Sequence, residues 1–287
     1  MSQSELEPSM VNLQRRFGGI ARLYGDIGLR RLSRAHVCVI GIGGVGSWVA
    51  ESLARSAIGS LSLIDLDMVS ESNINRQLVA TSDNIGRDKV LVMKDRVEQI
   101  NPLCKVQAVD EFISSDNLAE LIKPSFDYVI DCIDDFRTKA ALINYCRKQK
   151  IKILTVGGAG GQLDPLKIRQ VDLSRSKQDV LLARTRKLLR QDYAFARNLK
   201  RSFGVPCVYS DEQLVYPDGI GGISPQRPTN AGDTTADNSF DNSFDKNSNA
   251  LNCAGGMGSI SHVTGTFAFV AAGFVVTHLA GAESALS

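Results

Sequence analysis

The sequence contains no C-x-x-C pair. Its six cysteines, Cys38, Cys104, Cys132, Cys146, Cys207 and Cys253, are scattered, several inside apolar runs such as HVCVIG and YVIDCID. That distribution argues against a cysteine zinc site and a disulfide framework, and reads as reduced thiols of a cytoplasmic protein. A strong charge of one sign is also missing, since 33 Lys and Arg against 31 Asp and Glu leave a net charge of +2. An anionic partner therefore has to be held by a local basic patch and not by a global field. The opening MSQSELEPSMVNLQRRFGG is polar and acidic before it turns basic, so no signal peptide is expected. From Val263 to Gly281 the chain has no Asp, Glu, Lys or Arg. This stretch sits at the lower edge of the ~17–25 residues that span a bilayer. Its threonines, His278, small residues and lack of a flanking basic cluster favour a core or subunit-interface helix, with a single membrane span the weaker alternative.

What is present is the balance of a globular protein: 287 residues, 43% apolar and 22% charged, enough for one elaborated α/β domain. After a basic amphipathic opening, Leu13 to Leu32, HVCVIGI reads as a buried parallel strand. GVGSWVAESLARSAI then places Val45, Val49, Leu53 and Ala57 at helical spacing, and SLSLID is a second strand. The alternation continues to about residue 160, which predicts a doubly wound, Rossmann-like, mostly parallel sheet. Residues 161–287 are expected to complete the same domain as a C-terminal extension. They hold the strands PLKIRQVDL and VPCVYSDEQLVYP, a long basic helix or helix pair between them, and the final apolar helix. Residues 218–252, rich in Gly, Asn, Asp, Ser and Thr, are expected as a disordered loop, either an inert linker or a substrate lid.

Gly41-Ile42-Gly43-Gly44-Val45-Gly46 follows a strand and opens a helix. Glycines there let the backbone turn tightly and approach phosphate oxygens, which the helix N-terminus attracts. Asp65 ends the second strand, where a carboxylate can hydrogen-bond a ribose. These features alone fit NAD, FAD, an S-adenosyl group or ATP equally. The following stretch adds Asn73, Arg76 and Gln77, and Lys89 comes on the next helix. Cations aimed at the phosphate end serve nucleotidyl transfer, where negative charge builds on the α-phosphate and the departing pyrophosphate. Taken singly, Arg76 and Lys89 read as well as solvated surface charges. Asp131, Asp134 and Asp135 fall at the carboxyl end of a predicted parallel strand, where a carboxylate can hold Mg²⁺ against a triphosphate.

The ordered set resembles the ubiquitin-activating (E1-like) superfamily: GxGGxG, then D-x-D-x-V-x-x-S-N-x-x-R-Q, then G-R-D before a lysine, then D-C-x-D. The resemblance implies ATP as cofactor, with residues 1–160 as the adenylation region. Gly41, Gly43, Gly44 and Gly46 would cradle the nucleotide, Asp65 the ribose, Asn73, Arg76 and Lys89 the phosphates, and Asp134 the Mg²⁺. It also implies a homodimer in which Arg16 reaches the neighbouring subunit's ATP site. RFGGIARLYG, TVGGAGGQLDP, LVYP and NCAGGMGSISHVTGTFAFVAA narrow the likeness to the tRNA threonylcarbamoyladenosine dehydratases, whose pattern the 218–252 segment exceeds in length.

That likeness implies that the threonine carboxylate of N6-threonylcarbamoyladenosine at tRNA position 37 is adenylated by ATP. The carbamoyl group then closes a ring with loss of water, favoured by internal attack. A tRNA would be held by Arg184, Arg186, Lys187, Arg190, Arg197, Lys200 and Arg201, set against a single acidic residue, Asp192. A plain solvated helix face remains open for that stretch. Cys253 and Cys207 lie where other E1-like enzymes place an accepting thiol, and a structural thiol is the competing reading for each. A bound monovalent cation and a docked sulfur-relay protein are left open. The competing functions are adenylation of a sulfur-carrier protein's C-terminal glycine, a non-catalytic nucleotide-binding scaffold and, less well supported, an NAD dehydrogenase.

Overall fold

The computed structural model describes residues 13–226 and 257–281. Seven short segments become the strands of the main sheet. The inner ones, rich in Val, Ile and Leu, are buried on both faces as a parallel sheet covered by helices requires, and the two edge strands, 105–109 and 168–172, are largely half-buried or exposed. The seven are β1 (His36–Ile40), β2 (Ser60–Ile64), β3 (Lys105–Val109), β4 (Tyr128–Asp131), β5 (Ile153–Val156), β6 (Ile168–Asp172) and β7 (Pro206–Ser210). Their order across the sheet is β3-β2-β1-β4-β5-β7-β6, and every pairing is parallel except β6 with β7. This is the doubly wound α/β arrangement expected, with residues beyond 160 adding β6 and β7 to the same sheet.

Two hydrophobic cores lie on the two faces. One gathers α1 (Leu13–Leu32), α2 (Gly46–Arg55), α3 (Lys89–Ile100) and α7 (Ser261–Ala280) through Leu32, Val49, Leu53, Met93 and Phe267. The other gathers α4 (Leu118–Leu121), α5 (Phe136–Gln149) and α6 (Val180–Asp192) through Leu118, Ile122, Leu142, Cys146, Leu182 and Leu189. α1 kinks at Gly25, whose φ of 71° interrupts the helix. α7 is long and apolar enough to cross a membrane by length and composition. Its residues Val263, Phe267, Ala271 and Val275 recur every fourth position and are buried in this chain's own core, against α2 and α1. That is the core-helix alternative.

Two expectations need correction. The basic stretch, expected as one long helix or a helix pair, forms a single helix that ends at Asp192, with irregular chain from there to β7. Ala194 takes a left-handed φ of 55°, and Phe195 and Phe203 meet edge to face at 5.0 Å, so the chain leaves the helix to pack these rings. The loop expected from residue 218 begins as structure. β8 (Tyr216–Pro217) pairs antiparallel with β9 (Ile223–Ser224), and Asp218 accepts the amides of Ile220 and Gly222 in the connecting turn. Residues 227–252 of that segment lie outside the described residues. Phe267 is fully buried where α7 meets the sheet, so Phe267→Ala is expected to cost about 3–5 kcal/mol in urea unfolding monitored by circular dichroism.

Candidate active site

Ile40, the last residue of β1, pairs in register with Ile64 of β2 and Asp131 of β4. Three segments therefore leave the sheet at one level, around the β1/β4 crevice where the strand order reverses and such sheets bind ligands. The turn out of β1 tolerates only glycine at its ends. Gly41 has a φ of +85°, and a Cβ there would lie 2.9 Å from the Cys132 carbonyl oxygen. A Cβ on Gly46 would lie 1.7 Å from the Gly41 carbonyl oxygen. At Gly44 a Cβ would press on Thr264 Cγ2 at 3.3 Å and Arg76 Cγ at 3.4 Å, while Gly43 faces the Gln77 amide nitrogen. Ser47 closes the turn, its N and Oγ both donating to the Gly43 carbonyl at 3.2 and 2.7 Å. Val45 offers α2 no side-chain cap, and an uncapped helix N-terminus is the kind of place where backbone amides can meet an anion.

Asp65 ties the end of β2 to this turn. Its Oδ2 accepts Ile42 N at 2.5 Å and its Oδ1 accepts Asp67 N at 2.8 Å. Partial burial raises its pKa above the ordinary carboxylate range, with Lys89 the largest opposing influence. Lys89 is buried, yet its Nζ pairs at 2.7 Å with Asp67, an exposed carboxylate. An ammonium so placed can exchange an exposed partner for a phosphate. Asn73 is buried and caps its own short 3₁₀ turn, its Oδ1 accepting Ser70 N at 3.1 Å. Arg76 donates to the Ser72 carbonyl at 2.7 Å and to Asn75 Oδ1 at 3.0 Å. Its own carbonyl is anchored by Trp48 Nε1 at 3.0 Å and Thr264 Oγ1 at 3.3 Å.

The three aspartates after β4 are not equivalent. Asp131 is fully buried in an ion pair with Lys139 Nζ at 2.8 Å and accepts Thr155 Oγ1 at 2.7 Å. Asp135 caps α5 by accepting Thr138 N at 2.7 Å. Asp134 is the exposed one. Dense packing behind it strips solvation and raises its pKa, opposed by its own backbone amide and by Lys139. The donor chemistry fits Mg²⁺, a hard cation that characteristically takes one or two protein carboxylates and completes its shell with phosphate and water.

Arg16 is not brought to this site within its own chain. Its guanidinium donates to the carbonyls of Ile100 at 2.8 Å and Gln99 at 3.3 Å, at the far end of the helix that begins with Lys89. The basic set is divided. Arg184, Arg186, Lys187 and Arg190 lie on α6, while Arg197, Lys200 and Arg201 follow it in irregular chain. A cavity of about 340 Å³ is lined by Arg186, Lys187, Arg190 and Arg197 with Ala183 and Gln191. Half-buried Arg186 donates to Ser176 Oγ, and Arg190 and Arg184 lie over the rings of Phe203 and Phe136 at 5.0 and 5.7 Å. Lys187, Arg197, Lys200 and Arg201 are exposed. Cys207 is buried in β7 and its thiol is pushed up to about 12 by burial, which makes it a structural thiol. Cys253 lies outside the described residues. Among the described residues no group of three or more His, Cys, Asp or Glu is placed to hold a metal.

The model of the ThiF family matches residues 18–285, nearly the whole chain. The tRNA threonylcarbamoyladenosine dehydratase of Haemophilus influenzae is 47% identical over 93% of this chain and 94% of its own length. The chain belongs to the ThiF family, in its branch with those dehydratases. The Escherichia coli dehydratase is likewise 47% identical, over 90% of this chain and 91% of that protein. Its solved structure in complex with ATP matches with a TM-score of 0.79 at 41% identity, covering 98% of this chain and 100% of that one.

Several residues of this ThiF-family site escaped sequence reasoning. Thr264 on α7 holds the Arg76 carbonyl, and Asn75 Nδ2 donates to the Ser259 carbonyl at 2.7 Å. Both contacts join segments more than 180 residues apart, which no local pattern signals. Asp179 is a third. It caps α6 through Leu182 N at 2.7 Å and also accepts Gly158 N at 2.9 Å, from the loop after β5. Burial raises its pKa to about 6. Because the folded value lies above the ordinary one of 3.8, its favourable contribution is full below about pH 4 and is lost as pH rises to about 6. The difference is on the order of 3 kcal/mol. Compared with Asp179→Asn, the parent chain should lose Tm progressively between pH 4 and 6.5. A constant difference in Tm across that range would contradict the assignment.

Proposed function

We propose that this chain uses ATP to convert N6-threonylcarbamoyladenosine in tRNA to its cyclic, dehydrated form. One observation carries the reading. A chain similar over 98% of its length to an ATP-bound dehydratase carries a glycine turn, Arg76, Lys89 and the exposed carboxylate of Asp134 at a single sheet edge. The threonine carboxylate is a poor electrophile because its leaving group would be oxide. Attack of that carboxylate on the α-phosphate expels pyrophosphate and leaves a mixed anhydride with AMP. The carbamoyl group of the same nucleoside then attacks the activated carbonyl, AMP departs, and a five-membered ring closes. Internal attack is favoured by effective molarities that reach ~10⁵ M or more, so no side-chain nucleophile is needed.

The chain's residues have separable tasks in this scheme. The amides of the glycine turn and the start of α2 hold phosphate oxygens, and Asp65 faces the ribose. Arg76 and Lys89 stabilise charge on the α-phosphate and on departing pyrophosphate, with Asn73 shaping the turn that aims Arg76. A magnesium ion held by Asp134 would neutralise triphosphate charge. Arg16, remote from the site of its own chain, serves the site of a second subunit in a homodimer. Lys187, Arg197, Lys200 and Arg201 are the exposed cations that meet tRNA phosphates, with the other arginines of α6 bracing them. Such a substrate places the chain in the cytoplasm.

Incubation with ATP, Mg²⁺ and threonylcarbamoylated tRNA, followed by nucleoside mass spectrometry, should show loss of one water from the modified nucleoside. Arg76→Ala and Asp134→Ala should each lower that rate by about 10²-fold or more. An unchanged nucleoside mass with the parent chain would overturn the reading. Replacing Lys187, Arg197, Lys200 and Arg201 together by Gln should weaken tRNA binding and flatten its salt dependence by about 0.7–0.9 in log–log slope for each phosphate no longer neutralised. ATP affinity should be unchanged. Equal tRNA affinity for parent and variant in a low-salt filter-binding titration would remove these residues from the account.

A further inference from the structure

One of the largest fully buried side chains described is a lysine. Lys139 on α5 has no exposed surface, and neither does its partner Asp131 at the end of β4. Their contacts form a closed set. Lys139 Nζ lies 2.8 Å from Asp131 Oδ2 and 3.1 Å from Thr155 Oγ1, and Thr155 Oγ1 lies 2.7 Å from the same carboxylate oxygen. The other carboxylate oxygen, Asp131 Oδ1, accepts the backbone amide of Ile133 at 3.1 Å. Ile133 immediately precedes Asp134. The next residue, Asp135, caps α5 and so fixes the chain on the other side of Asp134.

Stability gives weak reason for such an arrangement. Desolvating two charges offsets most of their attraction, and well-packed apolar replacements of a buried pair are often neutral or stabilising. What this pair does that an apolar pair cannot is hold a specific backbone amide in a specific place. From these contacts we infer that the Asp131–Lys139–Thr155 cluster is a positioning device for Asp134, with Lys139 as the positioning residue. Lys139 and Thr155 fix Oδ2 of Asp131, Oδ1 then fixes the amide of Ile133, and the next side chain is aimed at the triphosphate. The cluster ties β4, α5 and β5 together directly beneath the turn, so the aim does not depend on exposed loops. This inference rests on the proposed role of Asp134 and extends it to residues that touch neither nucleotide nor metal. Groups of this kind typically change metal affinity by about 10–100-fold when removed.

The test is equilibrium nucleotide binding by calorimetry, with thermal unfolding measured on the same samples. ATP is titrated with Mg²⁺ and with EDTA, and AMP is titrated as a control without a triphosphate. Two variants are used. The charge-free pair Asp131→Leu/Lys139→Met removes the ion pair at similar volume, and Thr155→Val removes one hydroxyl while keeping both charges and the fold. For the pair, the Mg²⁺-dependent gain in ATP affinity should fall by about tenfold or more, and for Thr155→Val by a few-fold. AMP affinity and ATP affinity in EDTA should stay within about twofold. Should the paired variant fail to fold, Thr155→Val alone decides. An undiminished Mg²⁺-dependent gain in a folded variant would overturn the inference while leaving the role of Asp134 intact, and an equal loss for AMP would reduce the cluster to general support. If the parent chain gains no ATP affinity from Mg²⁺, the role of Asp134 and this inference fall together.

Discussion

The turn between β1 and α2 is the constraint from which the site follows. A Cβ at residue 46 would overlap the carbonyl of residue 41 at 1.7 Å, and one at residue 41 would meet the Cys132 carbonyl at 2.9 Å. Backbone therefore packs on backbone at the crevice where the sheet order reverses. That close approach sets the start of α2 at the carboxyl edge of the sheet, with no side chain capping its first turn. The same edge receives Asp65 from β2 and the 131–135 turn from β4 because the last residues of these strands are in register. In the proposed function this is where the nucleotide phosphates would lie.

Around that turn the charges divide into those already committed and those still open. Asp131 and Lys139 are sealed in an internal pair, Asp135 caps a helix and Asp65 braces the glycine turn. Lys89, paired with exposed Asp67, and Asp134, exposed beside its committed neighbours, are the groups that would change partners in the proposed reaction. Buried charges are costly unless paired, so committed groups serve as scaffold and uncommitted ones as chemistry. The same division runs through α6. Arg186 is bonded to Ser176 and Arg190 lies over Phe203, whereas Arg197, Lys200 and Arg201 of the chain that follows are exposed.

The parts legible in the sequence were those with local signals. The strand–glycine–helix unit and the core character of α7 follow from spacing and residue type within one window. Asp134 was singled out by its place in a motif. Its distinction from Asp131 needed Lys139 and Thr155, which meet only when β4, α5 and β5 are assembled. The end of α6 was misplaced because the RNLKR stretch keeps helical composition. Packing of Phe195 and Phe203 overrides that local preference. The anchoring of Arg76 by Thr264 was invisible for the same reason, since the two stand 188 positions apart.

The central claim is that this cradle joins a carboxylate to the α-phosphate of ATP, and isotope transfer tests it most directly. The tRNA would carry ¹⁸O in both oxygens of the threonyl carboxylate and be turned over with unlabelled ATP and Mg²⁺. The nucleotide and phosphate products would then be read by mass spectrometry. Adenylation places one ¹⁸O in the phosphate of AMP for each ring closed, and leaves pyrophosphate unlabelled. Label in inorganic phosphate with ADP as co-product, or ring closure with no label in AMP, would contradict the account.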